Sequence, residues 1–443
     1  MMAPLNSGRQ NQEKAEAGPW ISSDGGLINP IIYHDPAIYE REMDAIFGRS
    51  WQFVGMASQI EEPGDFFLSR MGADEVLLTR DGNDVVRVML NVCRHRGHQL
   101  CQAERGNTKR FVCPFHGWSF RTDGSLEGVP LGNTLCPDLD KDRFGLVQVP
   151  RVEIYRGLVF ASFDENAPPV REAMGDLAFY LDTLLGRRAD DLVMIGGVHK
   201  WKVPANWKIG PDGMGGDFYH TAALHASTFA ASTELRDTIK AMGNPDLARN
   251  ISFAGGHGFN MLLLPETAGN EAMFPVEPRL LEVPEVREYF TAIQPEAVQR
   301  LGPLRARMKI NTGTMFPNLS YSPGIFTLRL TVPAGPGWIE NWCWVLGYAD
   351  MPPVVRGVLR QAYLSVFGPD GCLEPDDAEA WTLVTEGTGH RRMRDVPLYA
   401  GMGLGLEQIH ADMPGLHHHP LSEGVSRGFY LQWQSMMHEC ERS

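Results

Sequence analysis

The chain has 443 residues, of which 43% are hydrophobic and 21% charged, a balance typical of a globular protein with one large core or two unequal ones. Its net charge of -14 comes without any block of like charges, so we expect neither nucleic acid nor an acidic lipid surface as a partner. No apolar stretch approaches the roughly 18 residues that a membrane helix needs, and the first residues lack the apolar core of a signal peptide, so the sequence predicts a cytoplasmic protein.

The first predicted element is a helix at Ala37 to Phe47, followed by a long stretch of short segments. From about Gly48 to Asp164, apolar and polar residues alternate between turn signals at Asp81-Gly82 and Asp123-Gly124. Alternation with such turns is typical of antiparallel strands joined by hairpins. We therefore predict an antiparallel β domain here.

Two cysteine-histidine pairs lie inside this β region, in the pattern C-x-H-x17-C-x2-H. They are Cys93 with His95 and Cys113 with His116. Two thiolates can hold one iron of a [2Fe-2S] cluster while two neutral imidazoles hold the other, which raises the reduction potential of the cluster. The pattern predicts a Rieske cluster, an electron carrier. A tetrahedral zinc site is the alternative, although zinc motifs usually open with C-x2-4-C.

Beyond Pro168 the spacing of apolar residues becomes helical, which places a domain boundary near residue 165. Strands are predicted at Met194 to Val203, Phe326 to Val332 and Glu340 to Gly347, and helices at Val170 to Leu185, Asp212 to Ala226, Val354 to Phe367 and Glu374 to Gly387. The predicted fold class is α+β, an antiparallel β Rieske domain plus an α+β catalytic domain with a central antiparallel sheet and helices. The predicted divisions are a helical segment packing on the catalytic domain (1–47), the Rieske domain (48–165) and the catalytic domain (166–443).

A second metal site is suggested by His220 and His225, which lie five residues apart in a predicted helix. In a regular α-helix this spacing is about 140° of rotation, so the rings diverge. A local π-type widening would bring them toward one face. With one carboxylate from elsewhere, they would form the facial triad of non-haem Fe(II) oxygenases. Two core histidines are the alternative, but an electron carrier in the same chain needs an electron acceptor.

Taken together, these motifs resemble the large (α) subunit of Rieske non-haem iron aromatic-ring-hydroxylating dioxygenases of the naphthalene and biphenyl type. The resemblance covers most of the chain: it includes the cluster motif, Asn206-Trp-Lys, Asp217-x-Tyr-His220-x4-His225, Phe316-Pro-Asn and the segment from Phe367 to Asp377.

The resemblance implies that His220, His225 and Asp377 bind the mononuclear Fe(II), with Asp376 as the competing choice for the carboxylate. It implies that Asp217 bridges the ring of His220 and, across a subunit contact, His116 of a neighbouring cluster. A trimer follows from that bridge, either a homotrimer or an α3β3 assembly with a small β subunit.

The implied reaction is the dihydroxylation of an aromatic ring with O2, giving a cis-dihydrodiol. Electrons would come from NADH or NADPH through a separate ferredoxin and reductase, because the chain has no nucleotide-binding motif. The candidate pocket residues are mainly apolar, which favours a neutral, possibly polycyclic arene, whereas an aromatic acid would need a buried arginine. These candidates are Gly213, Met214, Phe218, Met261, Phe316, Phe367 and Leu373.

The sequence departs from the family pattern at two places. Asp212-Gly213 stands where the family commonly has an amide ahead of the bridging Asp217, and Leu373 stands where some relatives have Trp. The smaller Leu373 suggests a roomier pocket, but Leu is also the commonest core residue.

Two other functions are alternatives for this sequence. A monooxygenase or demethylase acting on an aromatic acid or amine would have the same architecture. A respiratory electron-transfer Rieske protein would usually carry an extra cysteine in each cluster loop, where this chain has His98 and Phe115. The run at residues 417–419, three consecutive histidines, is interpreted as a solvated loop, because no partner ligands accompany it.

Overall fold

The computed structural model describes residues 20–231, 237 and 240–439. Its strands in the first part of the chain are β1 Leu27–Ile28, β2 Gln52–Met56, β3 Asp65–Met71, β4 Asp74–Arg80, β5 Val86–Leu90, β6 Arg105–Asn107, β7 Arg110–Val112, β8 Ser119–Arg121, β9 Leu126–Gly128, β10 Arg151–Tyr155 and β11 Leu158–Ser162. The later strands are β12 Leu192–Met194, β13 His199–Val203, β14 Ala248–Phe253, β15 His257–Leu263, β16 Met308–Met315, β17 Leu319–Ser322, β18 Thr327–Pro333, β19 Ile339–Tyr348, β20 Leu398–Tyr399 and β21 Leu416–His418.

The described helices are α1 Pro36–Glu42, α2 Gly132–Leu135, α3 Val170–Ala173, α4 Leu177–Leu185, α5 Ile209–Gly216, α6 Phe218–Leu224, α7 Ala226–Ala230, α8 Pro284–Ala306, α9 Pro353–Val366, α10 Glu374–Thr388 and α11 Gly424–Glu439. One π-helical turn, Met43–Phe47, follows α1, and α8 is kinked at Gly302. Short 3-10 turns lie at Pro30–Tyr33, Ala57–Gln59, Lys141–Phe144, Asn270–Met273, Pro278–Glu282 and Pro323–Ile325. Within the described ranges, no helix combines the length and the apolar character required to cross a lipid bilayer.

The first half of the chain forms three small antiparallel sheets, ordered β10-β11-β2, β5-β4-β3-β6 and β7-β8-β9. The predicted hairpins are confirmed, since β4 pairs with β5 and β8 with β9. In the first hairpin, Oδ1 of Asp81 accepts bonds from the backbone N–H of Asn83 at 2.8 Å and of Val85 at 3.0 Å. The turn is therefore closed by its own aspartate.

The second half is built on an antiparallel sheet of nine strands, ordered β12-β19-β18-β17-β16-β15-β14-β21, with β13 also pairing to β19. The predicted α+β class is confirmed. The helix expected from Asp212 to Ala226 is, however, divided into α5 and α6. Two other predicted elements are also interrupted. The strand expected from Met194 to Val203 is divided into β12 and β13, and the helix expected from Val170 to Leu185 is divided at Gly175, whose φ of 51° is left-handed.

Helix α1 packs on the second half of the chain through one buried carboxylate. Oε1 of Glu42 accepts bonds from Nζ of Lys208 at 2.6 Å and Nε1 of Trp433 at 2.7 Å, and Oε2 accepts from Nε1 of Trp207 at 2.7 Å. The charge of Glu42 is therefore paired and fully hydrogen-bonded, as a buried charge requires.

Candidate metal centres and cavity

The four donors of the C-x-H-x17-C-x2-H pattern lie on two turns of similar shape. The backbone N–H of Gly97 donates to the carbonyl of Cys93 at 3.0 Å, and that of Gly117 donates to the carbonyl of Cys113 at 2.9 Å. Both glycines have φ of 72°, a left-handed conformation that a side chain would strain. Each turn therefore needs its glycine to bring a cysteine and a histidine to the same side.

These turns place the side chains of both pairs together. The rings of His95 and His116 are 4.6 Å apart, and Trp118 stacks on His95 at 4.8 Å. The Cys93 thiol contacts the Cys113 side chain and the backbone amide of His95. Nδ1 of His95 is buried and has no hydrogen-bond partner among the described residues. Such an orphaned nitrogen beside two thiols fits a bound metal cluster.

The second set of donors lies at the inner surface of a cavity. Nε2 of His220 is 3.5 Å from Oδ1 of Asp377, and Nε2 of His225 is 3.2 Å from the same oxygen. These three ligand atoms lie within 4.8 Å of one another, and theirs is the one group of three or more metal donors that does so in the described ranges. Two imidazoles and one carboxylate fit the facial triad of non-haem iron. The four donors of the first set do not converge in this way, as a single zinc ion would require.

A second carboxylate lies behind each histidine of this triad. Nδ1 of His220 is 3.2 Å from Oδ2 of Asp217, and Nδ1 of His225 is 3.2 Å from Oδ2 of Asp376. A carboxylate at Nδ1 holds the ring proton there and leaves the lone pair on Nε2, the nitrogen that faces Asp377. The two neighbouring carboxylates thus occupy different positions, Asp377 inside the triad and Asp376 outside it.

The helix break that aligns the histidines is not the predicted π-type widening, and that prediction was wrong. The chain leaves helical geometry twice, at Asp217 (ψ 75°) between α5 and α6 and at His225 (ψ 19°) between α6 and α7. Asp217 caps α6, because its Oδ1 accepts the backbone N–H of His220 at 3.1 Å. The interruption at His225 lets its ring turn toward His220 although the spacing is five residues.

Charges around the triad shift its ionisation strongly. Burial disfavours protonation of His220, but Asp217 and Asp377 outweigh burial and raise the pKa of His220 to about 10. Burial likewise disfavours ionisation of Asp377, but His220 and His225 outweigh it and lower the pKa of Asp377 to about 2. Asp212 accepts a bond from the Tyr430 hydroxyl at 3.2 Å, and burial raises the pKa of Asp212 to about 7.

The triad opens into a cavity of about 200 Å³. Five of the seven residues predicted from the sequence line it, namely Gly213, Met214, Phe218, Phe367 and Leu373. The predictions for Met261 and Phe316 were wrong. Met261 is fully buried in the main core, and the ring of Phe316 packs on Phe429 at 5.1 Å in a second core cluster. The sequence alone does not show whether an apolar side chain lines a cavity or packs in a core.

Several cavity residues were not predicted. The apolar ones include Phe229, Met242, Ile325 and Val366, and the polar ones include Glu277, Arg279, Asn311 and Thr312. Arg279 lines the cavity but is partly exposed, and its Nε lies 2.6 Å from Oε2 of Glu277 in an ion pair. Most of these residues come from connections or strands with no motif in the sequence.

The interpretation of residues 417–419 as a solvated loop was also wrong for two of the three histidines. His417 and His418 belong to β21 at the edge of the large sheet and are buried. Nε2 of His417 donates to the Met413 carbonyl at 2.9 Å, and Nε2 of His418 is hydrogen-bonded to the Ser252 hydroxyl at 2.8 Å. Both histidines act as hydrogen-bonded core residues.

Comparisons with known proteins agree with this arrangement. Residues 50–142 match the family described as Rieske [2Fe-2S] domain, and residues 181–439 match the family described as ring hydroxylating alpha subunit (catalytic domain). The chain is 35% identical over 447 residues to biphenyl 2,3-dioxygenase subunit alpha of Rhodococcus jostii, an alignment covering 98% of this chain and 94% of that protein.

Two further similarities are informative. The chain is 32% identical over 402 residues to N,N-dimethyl phenylurea N-demethylase subunit alpha of a Sphingobium species, with coverage of 85% of this chain and 84% of that protein. Its structure is similar to that of naphthalene 1,2-dioxygenase with indole bound in the active site, with a TM-score of 0.86 and 30% sequence identity. That similarity covers 94% of this chain and 93% of the other chain.

Proposed function

This chain belongs to the family of ring-hydroxylating oxygenase α subunits with a Rieske [2Fe-2S] domain, and we propose that it dihydroxylates an aromatic ring with O2 to give a cis-dihydrodiol. The observation that carries the proposal is the position of the second donor set. His220, His225 and Asp377 all line the cavity, so a bound arene and a metal ion there would share one enclosed space.

We assign the [2Fe-2S] cluster to Cys93, His95, Cys113 and His116. The assignment is supported by the paired turns and by the orphaned Nδ1 of His95. We assign the mononuclear iron to His220, His225 and Asp377, which is supported by their ligand atoms within 4.8 Å of one another. When bound, the cluster supplies single electrons and the mononuclear iron binds and activates O2.

The protein's own contribution at the iron site is to hold protons and orient rings. Asp217 keeps the Nδ1 proton of His220, and Asp376 does the same for His225, so each Nε2 presents its lone pair to the cavity. The apolar wall formed by Met214, Phe218 and Phe367 binds the arene and excludes water from the reacting positions.

Asp217 has a further role in this proposal. Its side chain is 40% exposed although it touches His220, so it can contact a second subunit as well as the iron site. We propose that it accepts a bond from His116 of a neighbouring cluster within a trimer. Electrons would reach the cluster from NADH or NADPH through a ferredoxin and a reductase, in the cytoplasm. A small β subunit completing an α3β3 assembly belongs to the same proposal.

The proposed division of the chain is a cluster domain at 48–165 and a catalytic domain at 166–443, with residues 1–47 packing on the latter. Its support is that the two family matches fall on either side of residue 165. The hydrogen bonds that Trp207 and Trp433 donate to Glu42 support the placement of the first helix.

The test is product analysis with the purified oxygenase, a surrogate ferredoxin and reductase, NADH and 18O2, using biphenyl, naphthalene and benzene. We expect a cis-dihydrodiol carrying two labelled oxygen atoms. A second candidate, monooxygenation or N-demethylation, is favoured by the 32% identity to the phenylurea N-demethylase subunit. A product with one labelled atom would support that candidate and contradict dihydroxylation.

A further inference from the structure

One wall of the cavity is polar because β16 carries a bulge. Asn260 of β15 pairs with Thr312 and Met261 pairs with Ile310, so Asn311 is an extra residue without a partner in the ladder. Successive residues of a regular strand point to opposite faces of the sheet. Asn311 and Thr312 nevertheless both line the cavity. The bulge thus directs the Asn311 side chain inward, as bulges beside functional sites often do.

A second polar feature faces the same cavity from the segment that precedes α8. Nε of Arg279 donates to Oε2 of Glu277 at 2.6 Å, and the two side chains are 36% and 34% exposed. The backbone N–H of Glu277 donates to the carbonyl of Gly324, another cavity residue, at 3.0 Å. This backbone hydrogen bond holds the segment that carries the ion pair at the cavity wall. The pair as a whole has no net charge.

These groups have unused hydrogen-bonding capacity. In the part of the chain that the structure describes, the Asn311 carboxamide makes no hydrogen bond, and the Nη groups of Arg279 make none. Polar groups in an enclosed site normally bind water or a ligand. The wall thus offers both donors and acceptors to whatever occupies the cavity.

The charged residues at this wall indicate which kind of substituent on the substrate would fit there. A carboxylate on the substrate would bring a negative charge next to Glu277, whose own charge already neutralises Arg279. Two other cations adjoin this segment, but Lys309 donates to the Val276 carbonyl at 3.4 Å and Arg187 to the Met273 carbonyl at 2.8 Å. Both line a separate, smaller cavity. A neutral group that donates and accepts hydrogen bonds matches the wall best.

We propose that the substrate is an arene carrying a neutral carboxamide-type substituent, which Asn311 and the Arg279–Glu277 pair bind while the ring lies against the apolar wall. This inference rests on the proposed function, because it takes the cavity to be the substrate site. Asn311 is a specificity-determining residue in this proposal, not a participant in the oxygen chemistry.

The test compares three ligands of equal shape on one scaffold: biphenyl-4-carboxamide, 4-isopropenylbiphenyl and biphenyl-4-carboxylate. Dissociation constants are measured by calorimetry with the oxygenase containing both metal centres, its cluster oxidised and O2 removed, so that no turnover is needed. We expect the carboxamide to bind at least about tenfold more tightly than the isopropenyl compound, because the polar wall stays unpaired against the hydrocarbon.

The variant that tests the residue is Asn311→Leu, which keeps the number and branching of the side-chain heavy atoms but removes both hydrogen-bonding groups. It should abolish the preference for the carboxamide, and Thr312→Val provides a milder second variant on the same wall. Met242→Leu, on the apolar wall, is the matched control and should leave the ratio of the two affinities unchanged. The visible spectrum of the cluster shows that each variant is folded.

The outcomes separate the two proposals. Tightest binding of the carboxylate, or equal binding of the carboxamide and the hydrocarbon, would overturn the carboxamide assignment while leaving the site assignment intact. A preference that survives Asn311→Leu would overturn the role of Asn311. Failure of all three ligands to bind would instead contradict the cavity as the substrate site, and with it the proposed function.

Discussion

The two donor sets are built in opposite ways. The cluster donors fall within residues 93–116 and lie on two turns whose shape is fixed by backbone bonds and two left-handed glycines. The iron donors span residues 220–377 and are oriented by a helix break, a helix N-terminus and two outer carboxylates. A centre fixed by local backbone depends on few residues, whereas one fixed by side chains from distant elements depends on many partners that can each be changed separately.

The largest expected effect is at the cluster. Cys93→Ser should abolish the visible absorption of the cluster and all turnover, because a serine oxygen is a poor ligand for a cluster iron. Iron analysis should still find the mononuclear metal, since the two sites share no residue. Cys136→Ser, outside the motif, is the control. A surviving cluster spectrum in Cys93→Ser would show that the ligand assignment is wrong.

His220→Ala should affect the mononuclear site and leave the cluster intact, the opposite of Cys93→Ser. The cluster spectrum should remain, while the mononuclear iron and all turnover are lost, because two ligands do not fix a facial geometry. Electron paramagnetic resonance and iron analysis measure the two centres separately. His419→Ala, an exposed histidine, is the control. Normal turnover with a full complement of iron in His220→Ala would refute the triad.

Asp217→Asn tests the connection between the two regions. Asparagine still caps α6, so the helix and both metal centres should assemble. Product formation in a single turnover, with the cluster already reduced and substrate bound, should nevertheless fall about 100-fold or more, since the negative charge holding the His220 proton is gone. A rate near that of the wild type would reduce Asp217 to a helix cap and remove the argument for the trimer.

Asp376→Asn should have a smaller effect that is confined to the iron site. We expect iron affinity to fall about 10- to 100-fold, as when an outer partner of a ligating histidine is weakened. Asp377→Asn should lose the iron entirely, and the pair of variants separates the two adjacent carboxylates. Equal losses in both would mean that Asp376 and Asp377 are not distinguished as the geometry indicates.

The response to pH is the most gradual expected effect. In the metal-free protein His220 has a pKa raised to about 10, so at neutral pH iron must displace its proton. Iron affinity should therefore rise with pH, by about tenfold for each pH unit between pH 6 and 9. Titration of the metal-depleted enzyme with Fe(II) under argon measures this slope. An affinity independent of pH would show that His220 is already neutral.

The contrast between the two regions also explains what the sequence predicted. The cluster motif and its hairpins depend on local spacing, so Cys93, His116 and the turn at Asp81 could be predicted from the sequence alone. The break at His225 was not, because nothing in residues 217–230 shows that tertiary contacts would end the helix there. The bulge at Asn311 depends on the register between two strands, which a single strand does not encode.

The sequence also did not predict which individual side chains are buried in a core. Met261 and Phe316 have the composition of pocket residues, yet they face cores, and Arg279 enters the cavity from a segment without any motif. His417 and His418 were predicted to lie in a solvated loop because no partner ligands accompany them, whereas β21 buries them at the edge of the sheet. Which face of a strand is covered is decided by distant parts of the chain.

The bonds of Glu42 have a consequence for biosynthesis. Trp207 and Lys208, directly ahead of α5, share this carboxylate with Trp433 of the last described helix, and Ile21 near the start bonds to Gln434 at 2.8 Å. The helix that leads to Asp217 therefore cannot reach its final packing until residue 433 has left the ribosome. The cluster loops are complete some three hundred residues earlier, so a nascent chain would be ready for its iron-sulfur cluster well before its mononuclear iron.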